Sequence, residues 1–304
     1  MQALNKEIVS GSGIPEKLVV SLEKLLHKKT VKKKLTIGGR DYTFLGLVSN
    51  DVFISFPLLD MCVIQNSESD VKYFKGGSYQ VKVSNFFLNV QGGVETEKSF
   101  FVIDTCREYL DYLSTLKSKY RSQMNNIKHP FSYSIINNFT KGDVDLFYDV
   151  YIRRMREIGA LPMPKSFFYN LTDSEEIFFS KVVDNNCRAV SIALLIKGVI
   201  HLLWAASDNR QSANLFMYRE LIKFCCDDDR VQFLNIGRAT NNSSQYKFKE
   251  RIGGEKFPIR EFTNKGPTSH YRSRLPKYML KLYRIVPLFF IRALSRIIYK
   301  RVIR

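Results

Sequence analysis

The stretch of residues 201–257 places the strongest constraint on how this chain can fold. An apolar segment at 202–206 ends in the polar residue Ser207, and apolar residues at helical spacing follow it. A second apolar segment, 231–236, ends at Gly237 and leads into another short helix. Two strand ends that each lead into polar residues and a helix form the kind of crevice in which α/β sheets bind ligands. An ordinary α/β unit with a core helix is the alternative.

The rest of the chain supplies further strands and helices in a mixed order. Runs rich in Phe, Val, Ile and Tyr predict strands, while apolar spacing and capping residues predict helices. The predicted strands are residues 41–48, 52–61, 78–89, 98–104, 131–136, 177–183, 188–196, 199–206, 231–236 and 258–262. The predicted helices start near residue 15, cover 105–122, 143–158 and 165–171, and start again at 212 and 245. This order predicts the α/β class, with an α+β mixed sheet covered by helices.

Positive charge is concentrated at the C-terminus. The 304 residues carry a net charge of +18, and residues 265–304 contain eleven Lys or Arg and no Asp or Glu. Arg292, Arg296 and Lys300 are spaced four residues apart, while apolar residues lie on another side of the same helix. The sequence therefore predicts a basic amphipathic tail that binds an anionic membrane surface through residues 272–304, with nucleic acid as the second choice. A tail helix packed on the domain is the alternative.

Lysines between positions 24 and 34 form a second basic cluster, which we expect at the solvated end of the first helix. The five cysteines show no Cys-x-x-Cys spacing, and the N-terminus lacks the pattern of a signal peptide. We expect a cytoplasmic protein, peripheral to the inner face of the membrane.

No metal site is expected. The chain has only four histidines, and His201 lies in an apolar strand, where a core residue is more common than a base. Asp227, Asp228 and Asp229 follow a helix and precede a strand, which favours a solvated loop over a metal site.

Candidate chemistry lies beyond the second strand of the central stretch. Gly237 allows the backbone to approach a ligand, and Arg238 and Lys249 are suited to hold a phosphate or carboxylate. The Tyr246 hydroxyl is suited to stabilise a developing charge or to pass a proton. Packing of Tyr246 in the core, with solvated lysines, is the alternative. The facing wall is predicted to contain Trp204, Ser207 and Asn209.

Three segments, 147–168, 204–222 and 234–259, together resemble the FemAB-related branch of the GNAT acyltransferases. The first is similar to that branch's Tyr…Met-Arg…Gly helix. The second matches its Trp-Ala-Ser strand end and Leu…Tyr…Glu-Leu-Ile helix, and the third its Gly-Arg…Tyr-x-Phe-Lys…Gly motif. The likeness covers residues 105–262. The matching positions are Tyr151, Met155, Gly159, Trp204, Ser207, Tyr218, Glu220, Gly237, Arg238, Tyr246, Phe248, Lys249 and Gly253.

The resemblance implies two GNAT-like lobes, of which the second is better defined. We place a degenerate N-terminal lobe at 1–125, an acyltransferase lobe at 126–265 and the basic tail at 266–304. The implied reaction transfers an acyl group to an amine on a sugar, a surface polysaccharide or a cell-envelope precursor. The implied catalytic residues are Tyr246, Arg238 and Lys249. Together with the residues of the facing wall, the resemblance predicts that the substrate-binding residues are Trp204, Ser207, Asn209, Tyr218, Gly237 and Tyr151.

Acyl-CoA is the first expected donor, and an acyl-carrier protein or an aminoacyl-tRNA stays open. The Gly-containing loop expected before Tyr246 is replaced by residues 241–244, Asn-Asn-Ser-Ser. Asp208 and Glu220 are weak candidates for a general base. Two alternatives remain at the level of function. One is a tRNA-dependent transferase of the peptidoglycan-bridge type, and the other is a non-catalytic module that binds a membrane surface.

Overall fold

The computed structural model describes residues 16–26, 29–37, 40–49, 52–55, 78–84, 92–127, 130–208, 211–264, 284–293 and 295. The strands are β1 Val31–Ile37, β2 Arg40–Ser49, β3 Val52–Ser55, β4 Ser78–Ser84, β5 Val94–Asp104, β6 Ser132–Asn137, β7 Ile177–Asp184, β8 Asn186–Ile196, β9 Val199–Ser207, β10 Phe233–Thr240 and β11 Glu255–Thr263. The helices are α1 Glu16–Leu26, α2 Tyr109–Thr115, α3 Ser118–Asn125, α4 Lys141–Ile158, α5 Lys165–Tyr169, α6 Gln211–Asp227 and α7 Ser244–Arg251.

One mixed sheet holds the described strands together, in the order β1-β2-β3-β4-β11-β5-β10-β9-β8-β7-β6. The pairs β3–β4 and β9–β10 are parallel, and the other neighbours are antiparallel. Helices cover both faces, with α1, α4 and α5 on one core and α2, α3, α6 and α7 on the other. Side chains alternate along each strand, so that Phe178 enters the second core and Phe179 the first. The predicted α/β class with a mixed sheet is confirmed.

Helix α4 begins earlier than the sequence pattern predicted. We expected Asp143 or Asp145 to open it, whereas Thr140 is the N-cap and accepts a hydrogen bond from the Asp143 backbone. The Asp143 carboxylate in turn accepts from the Thr140 backbone amide at 3.0 Å, which completes a capping box. Gly159 ends the helix in the left-handed conformation, with φ of 69°.

Two other predictions are corrected. The helix expected at 105–122 is two helices, α2 and α3, because Leu116 and Lys117 between them adopt extended backbone. The Leu116 side chain is buried in the core there, which favours the break over a continuous helix. The lysines expected at the end of α1 include Lys33, which lies in strand β1 with its side chain buried.

The N-terminal and C-terminal parts of the chain meet within the sheet. Strand β11, near the end of the described sheet region, lies between β4 and β5. Strand β5, which the division at residue 125 assigns to the first lobe, pairs with β10 and β11. The lobe boundaries stay a prediction.

Part of the C-terminal tail packs on the domain. The Ile291 side chain is buried in the first core, and Arg292 forms an ion pair of 2.7 Å with Asp149 of α4. Within the described ranges, no helix is long and apolar enough to cross a bilayer.

Candidate functional site

A cleft opens where the parallel strands β9 and β10 separate. Their pairing ends at Asn235 and His201, and the next residues of both strands line the cleft instead of pairing. The register of β10 against β5 shifts between Asn235 and Arg238, and β9 carries a similar irregularity beside Trp204. The cleft has a volume of about 400 Å³ and is also lined by residues of α4, α6 and α7. It lies at the carboxyl ends of the two strands from which the sequence predicted a ligand site.

A buried polar pair fixes the point where the strands part. His201 Nδ1 lies 3.2 Å from the Asn235 side-chain amide, and burial lowers the pKa of His201 to about 4. The ring is therefore neutral at physiological pH, and Nδ1 accepts from the amide nitrogen. The Asn235 side-chain oxygen accepts from the Gly237 backbone at 2.9 Å. His201 is thus a hydrogen-bonded core residue, as expected, and it helps to hold the backbone of Gly237.

The Lys249 side chain of α7 contacts the backbone of β10. Its side chain is buried, and Nζ donates to the Ile236 carbonyl at 2.5 Å and to the Arg238 carbonyl at 3.0 Å. Burial and the neighbouring Arg238 lower the pKa of Lys249 to about 7. The neutral amine of Lys249 is therefore accessible near neutral pH.

Three basic side chains line the cleft. Arg238 is exposed to solvent inside it, and the surrounding protein lowers the pKa of its guanidinium, which stays charged at neutral pH. Arg154 of α4 lines the opposite side and donates to Glu157 at 3.0 Å. Among the lining residues that the structure describes, Arg154, Arg238 and Lys249 are the basic ones, and none is Asp or Glu. The cleft is therefore suited to an anionic ligand.

The structure brings five of the nine predicted site residues to the cleft. They are Ser207, Tyr218, Gly237, Arg238 and Lys249. Burial raises the pKa of the Tyr218 hydroxyl, so this group stays protonated.

Three predicted site residues lie elsewhere. The Trp204 ring packs edge-on against Phe167 and Phe168, with centroids 5.5 and 5.3 Å away. The Tyr151 hydroxyl accepts from the Met163 backbone in the core. The Tyr246 ring packs edge-on against Phe101 at 5.0 Å and is not part of the cleft lining.

The ninth residue, Asn209, lies outside the described residues. The two weak base candidates also lie away from the lining, and each carboxylate is held by an arginine. Arg188 donates to Asp208 at 3.1 Å, and Arg219 donates to Glu220 at 2.7 Å.

Four polar residues of the cleft are absent from the predicted site residues: Arg154, Asn214, Ser244 and Gln245. Asn214 lies one helical turn before Tyr218 in α6, so helical spacing from Tyr218 could have found it. Arg154 comes from a helix far away in the chain, and only the tertiary structure brings it to β9 and β10. Among the residues in the described ranges, no group of three or more His, Cys, Asp or Glu is placed to hold a metal ion.

No protein-family model matches the sequence, and no curated protein matches it. Solved structures do match the fold. FemX superimposes with a TM-score of 0.56 at 10% identity, covering 88% of this chain and 93% of FemX. The structure of L-PGS from Bacillus licheniformis gives a TM-score of 0.54 at 11% identity, covering 97% of this chain and all of the other.

A third match is the C-terminal domain of a protein described as a lysylphosphatidylglycerol synthetase, from Agrobacterium fabrum. It gives a TM-score of 0.55 at 9% identity and covers 85% of this chain and 90% of that domain. At such low identity these likenesses show the fold. The chain therefore has the fold of FemX and L-PGS, as the resemblance of its motifs to the FemAB-related branch predicts.

Proposed function

We propose that this protein is a transferase that moves an acyl group from an anionic donor to an amine. The observation that carries the proposal is the cleft between the parted strands, lined by Arg154, Arg238 and Lys249 without a carboxylate. A phosphate-bearing donor such as acyl-CoA suits this charge, because arginine binds phosphate through a two-pronged hydrogen bond. The proposed acceptor is an amine on a sugar, a surface polysaccharide or a cell-envelope precursor.

In the proposed reaction the acceptor nitrogen attacks the carbonyl carbon of the thioester. The new C–N bond forms, the C–S bond breaks, and the thiolate leaves. The attacking amine must lose a proton, and Lys249 is suited to accept it. A neutral lysine has two N–H groups and one lone pair, and the carbonyls of Ile236 and Arg238 accept those two N–H groups. The lone pair then stays available for the proton.

We assign Arg238 and Arg154 the binding of negative charge and not the transfer of a proton. Their proposed role is to attract the donor phosphates and to stabilise negative charge on the carbonyl oxygen. The proposed role of Ser207, Tyr218 and Gly237 is to position the donor and acceptor together in the cleft, from which much of the acceleration would come. Tyr246 has no role in this scheme, because its ring packs against Phe101.

An aminoacyl ester is the second candidate donor. It is favoured by the similarity to L-PGS and to the lysylphosphatidylglycerol synthetase domain, whose name describes a product with a lysyl group on a lipid. The amine or hydroxyl of the acceptor would then displace a tRNA hydroxyl, so that a C–O bond breaks instead of a C–S bond. The same cations would contact the tRNA backbone.

Donor binding by the full chain tests both candidates. We would titrate acetyl-CoA, longer acyl-CoAs and charged tRNA, and compare Arg238→Ala with Lys247→Ala. Each change removes one cation, but Lys247 is exposed on α7 and does not line the cleft. We expect Arg238→Ala to weaken binding of the true donor about tenfold or more, as loss of a charge-assisted hydrogen bond does. We expect Lys247→Ala to have little effect on an acyl-CoA donor.

The pH dependence of transfer tests the role of Lys249. With a base of pKa about 7, kcat/KM should rise about tenfold between about pH 6 and 8. Lys249→Met should remove that rise and lower the rate.

In the donor titration, absence of binding by every donor would favour a non-catalytic module. In the pH experiment, the outcome for Lys249→Met decides the role of Lys249. A rate that rises equally in Lys249→Met would exclude Lys249 as the base.

A further inference from the structure

The C-terminal segment is fixed on α4 rather than merely adjacent to it. Arg284 donates to the Glu157 carbonyl at 3.1 Å, and Arg292 pairs with Asp149 at 2.7 Å. Contacts of 284 with 157 and of 292 with 149 mean that the segment runs antiparallel to α4. The buried Ile291 between the two arginines anchors the segment in the core. The exposed side chains of the segment are therefore held in fixed positions on the folded domain.

Exposed apolar side chains are concentrated on α4 and the C-terminal segment. Seven large hydrophobic residues are exposed among the described residues, and five belong to α4 or the C-terminal segment. These five define the α4–C-terminal surface: Leu146, Ile158, Ile285, Phe289 and Phe290. The last three are 76%, 63% and 55% exposed within six consecutive residues. So much exposed apolar area in one short segment marks an interaction surface.

The charge around this surface is positive. The exposed Arg153 lies on α4, and the acids nearby are paired, Asp149 with Arg292 and Glu157 with Arg154. In the sequence, residues 265–304, to which the segment belongs, contain eleven Lys or Arg and no acid. The partner must therefore be anionic, and it must also offer an apolar phase.

These two requirements distinguish the candidate partners. A second copy of the chain would bring two basic surfaces together, which repel each other. A nucleic acid supplies phosphates but no apolar interior in which Ile285 and Leu146 could be buried. An anionic bilayer supplies both, because basic side chains bind its headgroups while Phe and Ile enter the acyl boundary.

We propose that the α4–C-terminal surface docks this protein on an anionic lipid bilayer. Ile285, Phe289 and Phe290 insert at the interface, and the surrounding arginines bind the headgroups. Glu157 links this surface to the cleft, because its carboxylate holds Arg154 while its carbonyl accepts from Arg284. Docking therefore places the Arg154 side of the cleft beside the membrane. The docking does not depend on the proposed transferase activity.

Sedimentation of the full chain with vesicles tests the proposal. One vesicle is phosphatidylcholine alone, and the other is an equal mixture of phosphatidylcholine and phosphatidylglycerol. We expect the partition coefficient to be about tenfold or more higher on the anionic vesicles and to fall as salt is added. The combined variant Ile285→Asn, Phe289→Asn, Phe290→Asn should lose about tenfold or more of that binding.

A matched control changes apolar residues of similar exposure elsewhere. Val94 and Leu110 are each 71% exposed and lie outside the α4–C-terminal surface. The double variant Val94→Asn, Leu110→Asn should bind anionic vesicles within about twofold of the parent. The proposal fails if the parent binds anionic vesicles no better than phosphatidylcholine vesicles, or if the triple variant binds anionic vesicles as well as the parent. It also fails if the triple variant instead converts a dimeric parent to a monomer or loses only the binding of duplex RNA.

Insertion itself has a separate measurement. Trp204 is the chain's one tryptophan, and its ring packs against Phe167 and Phe168, so its emission should change little on docking. Phe289→Trp places a second reporter on the surface. Its added emission should shift to shorter wavelength with phosphatidylglycerol vesicles and not with phosphatidylcholine alone. Binding without that shift would mean attraction by charge alone and would overturn the docking by insertion.

Discussion

Lys249 is a buried amine, and the fold favours its neutral form. The pKa of Lys249 is lowered from 10.5 to about 7 in the folded chain, chiefly by burial. Between these two values the unfolded chain binds a proton that the folded chain has released. The free energy of unfolding therefore rises with pH in this window. The stability gained in this way is lost as the pH falls back to about 7.

We predict that Lys249→Met removes this pH dependence. Between about pH 7.5 and 9.5, the free energy of unfolding of the parent should rise more steeply than that of the variant, by about 1.4 kcal/mol per pH unit. Urea unfolding at fixed pH values measures both slopes. The matched control is Lys247→Met, an exposed lysine on the same helix, which should keep the parent's slope. Equal slopes in the parent and Lys249→Met would show that Lys249 titrates normally.

His201 and Asn235 show how a polar pair can be structural and still serve the site. The pair is buried between β9 and β10 at their last paired residues, and Asn235 also holds the Gly237 backbone. Burial of such groups is favourable only when each is hydrogen-bonded. The pair thus marks the position at which the two strands stop pairing and the cleft begins.

At the scale of elements, the irregular end of β10 positions Arg238 and Lys249. Gly237 adopts φ of +80° between two carbonyls that accept from Lys249. A Cβ at this position would lie 3.3 Å from Lys249 Nζ and 3.4 Å from the Leu202 carbonyl. A side chain there would strain the backbone and displace the lysine that the strand holds.

Gly237→Ala should therefore lower donor binding and transfer, while Gly198→Ala should affect stability only. Gly198 has a similar φ of +73°, but it lies in the hairpin between β8 and β9. Each change should destabilise the fold by about 1 kcal/mol or more, because alanine is strained at positive φ. Thermal unfolding and donor titration measure the two effects. Equal loss of donor binding in both variants would mean that Gly237 matters only for stability.

Local patterns predicted the elements that are defined by local forces. The strands predicted at 177–183, 188–196 and 199–206 follow local residue preferences, and the structure has them as β7, β8 and β9. The break between α2 and α3 was missed, because burial of Leu116 in a core built from distant residues decides it. For the same reason Arg154 was missed. Trp204 and Tyr151, which the sequence predicts at the site, pack against the Phe168 ring.

At the scale of the whole molecule, the sheet joins the two parts of the chain that the sequence divided at residue 125. Strand β11 pairs on one side with β4, from Ile259 opposite Ser84 to Thr263 opposite Gln80. On its other side it pairs with β5, which pairs in turn with β10 beside the cleft. Backbone hydrogen bonds therefore run without interruption from the N-terminal strands to the site. A chain built in this way should unfold as one cooperative unit.

Phe44→Ala tests this cooperativity from the N-terminal side. The Phe44 side chain is fully buried in β2, and its truncation should destabilise the fold by about 3–5 kcal/mol. Trp204 fluorescence reports on the distant core around α5, and circular dichroism reports on all helices. If the sheet couples the two parts, the unfolding midpoints seen by both probes should move to lower urea concentration by the same amount. Phe44→Leu should move both midpoints by less. A Trp204 transition that stays at the parent's midpoint would mean that residues 1–125 unfold separately, as the predicted lobe boundary would require.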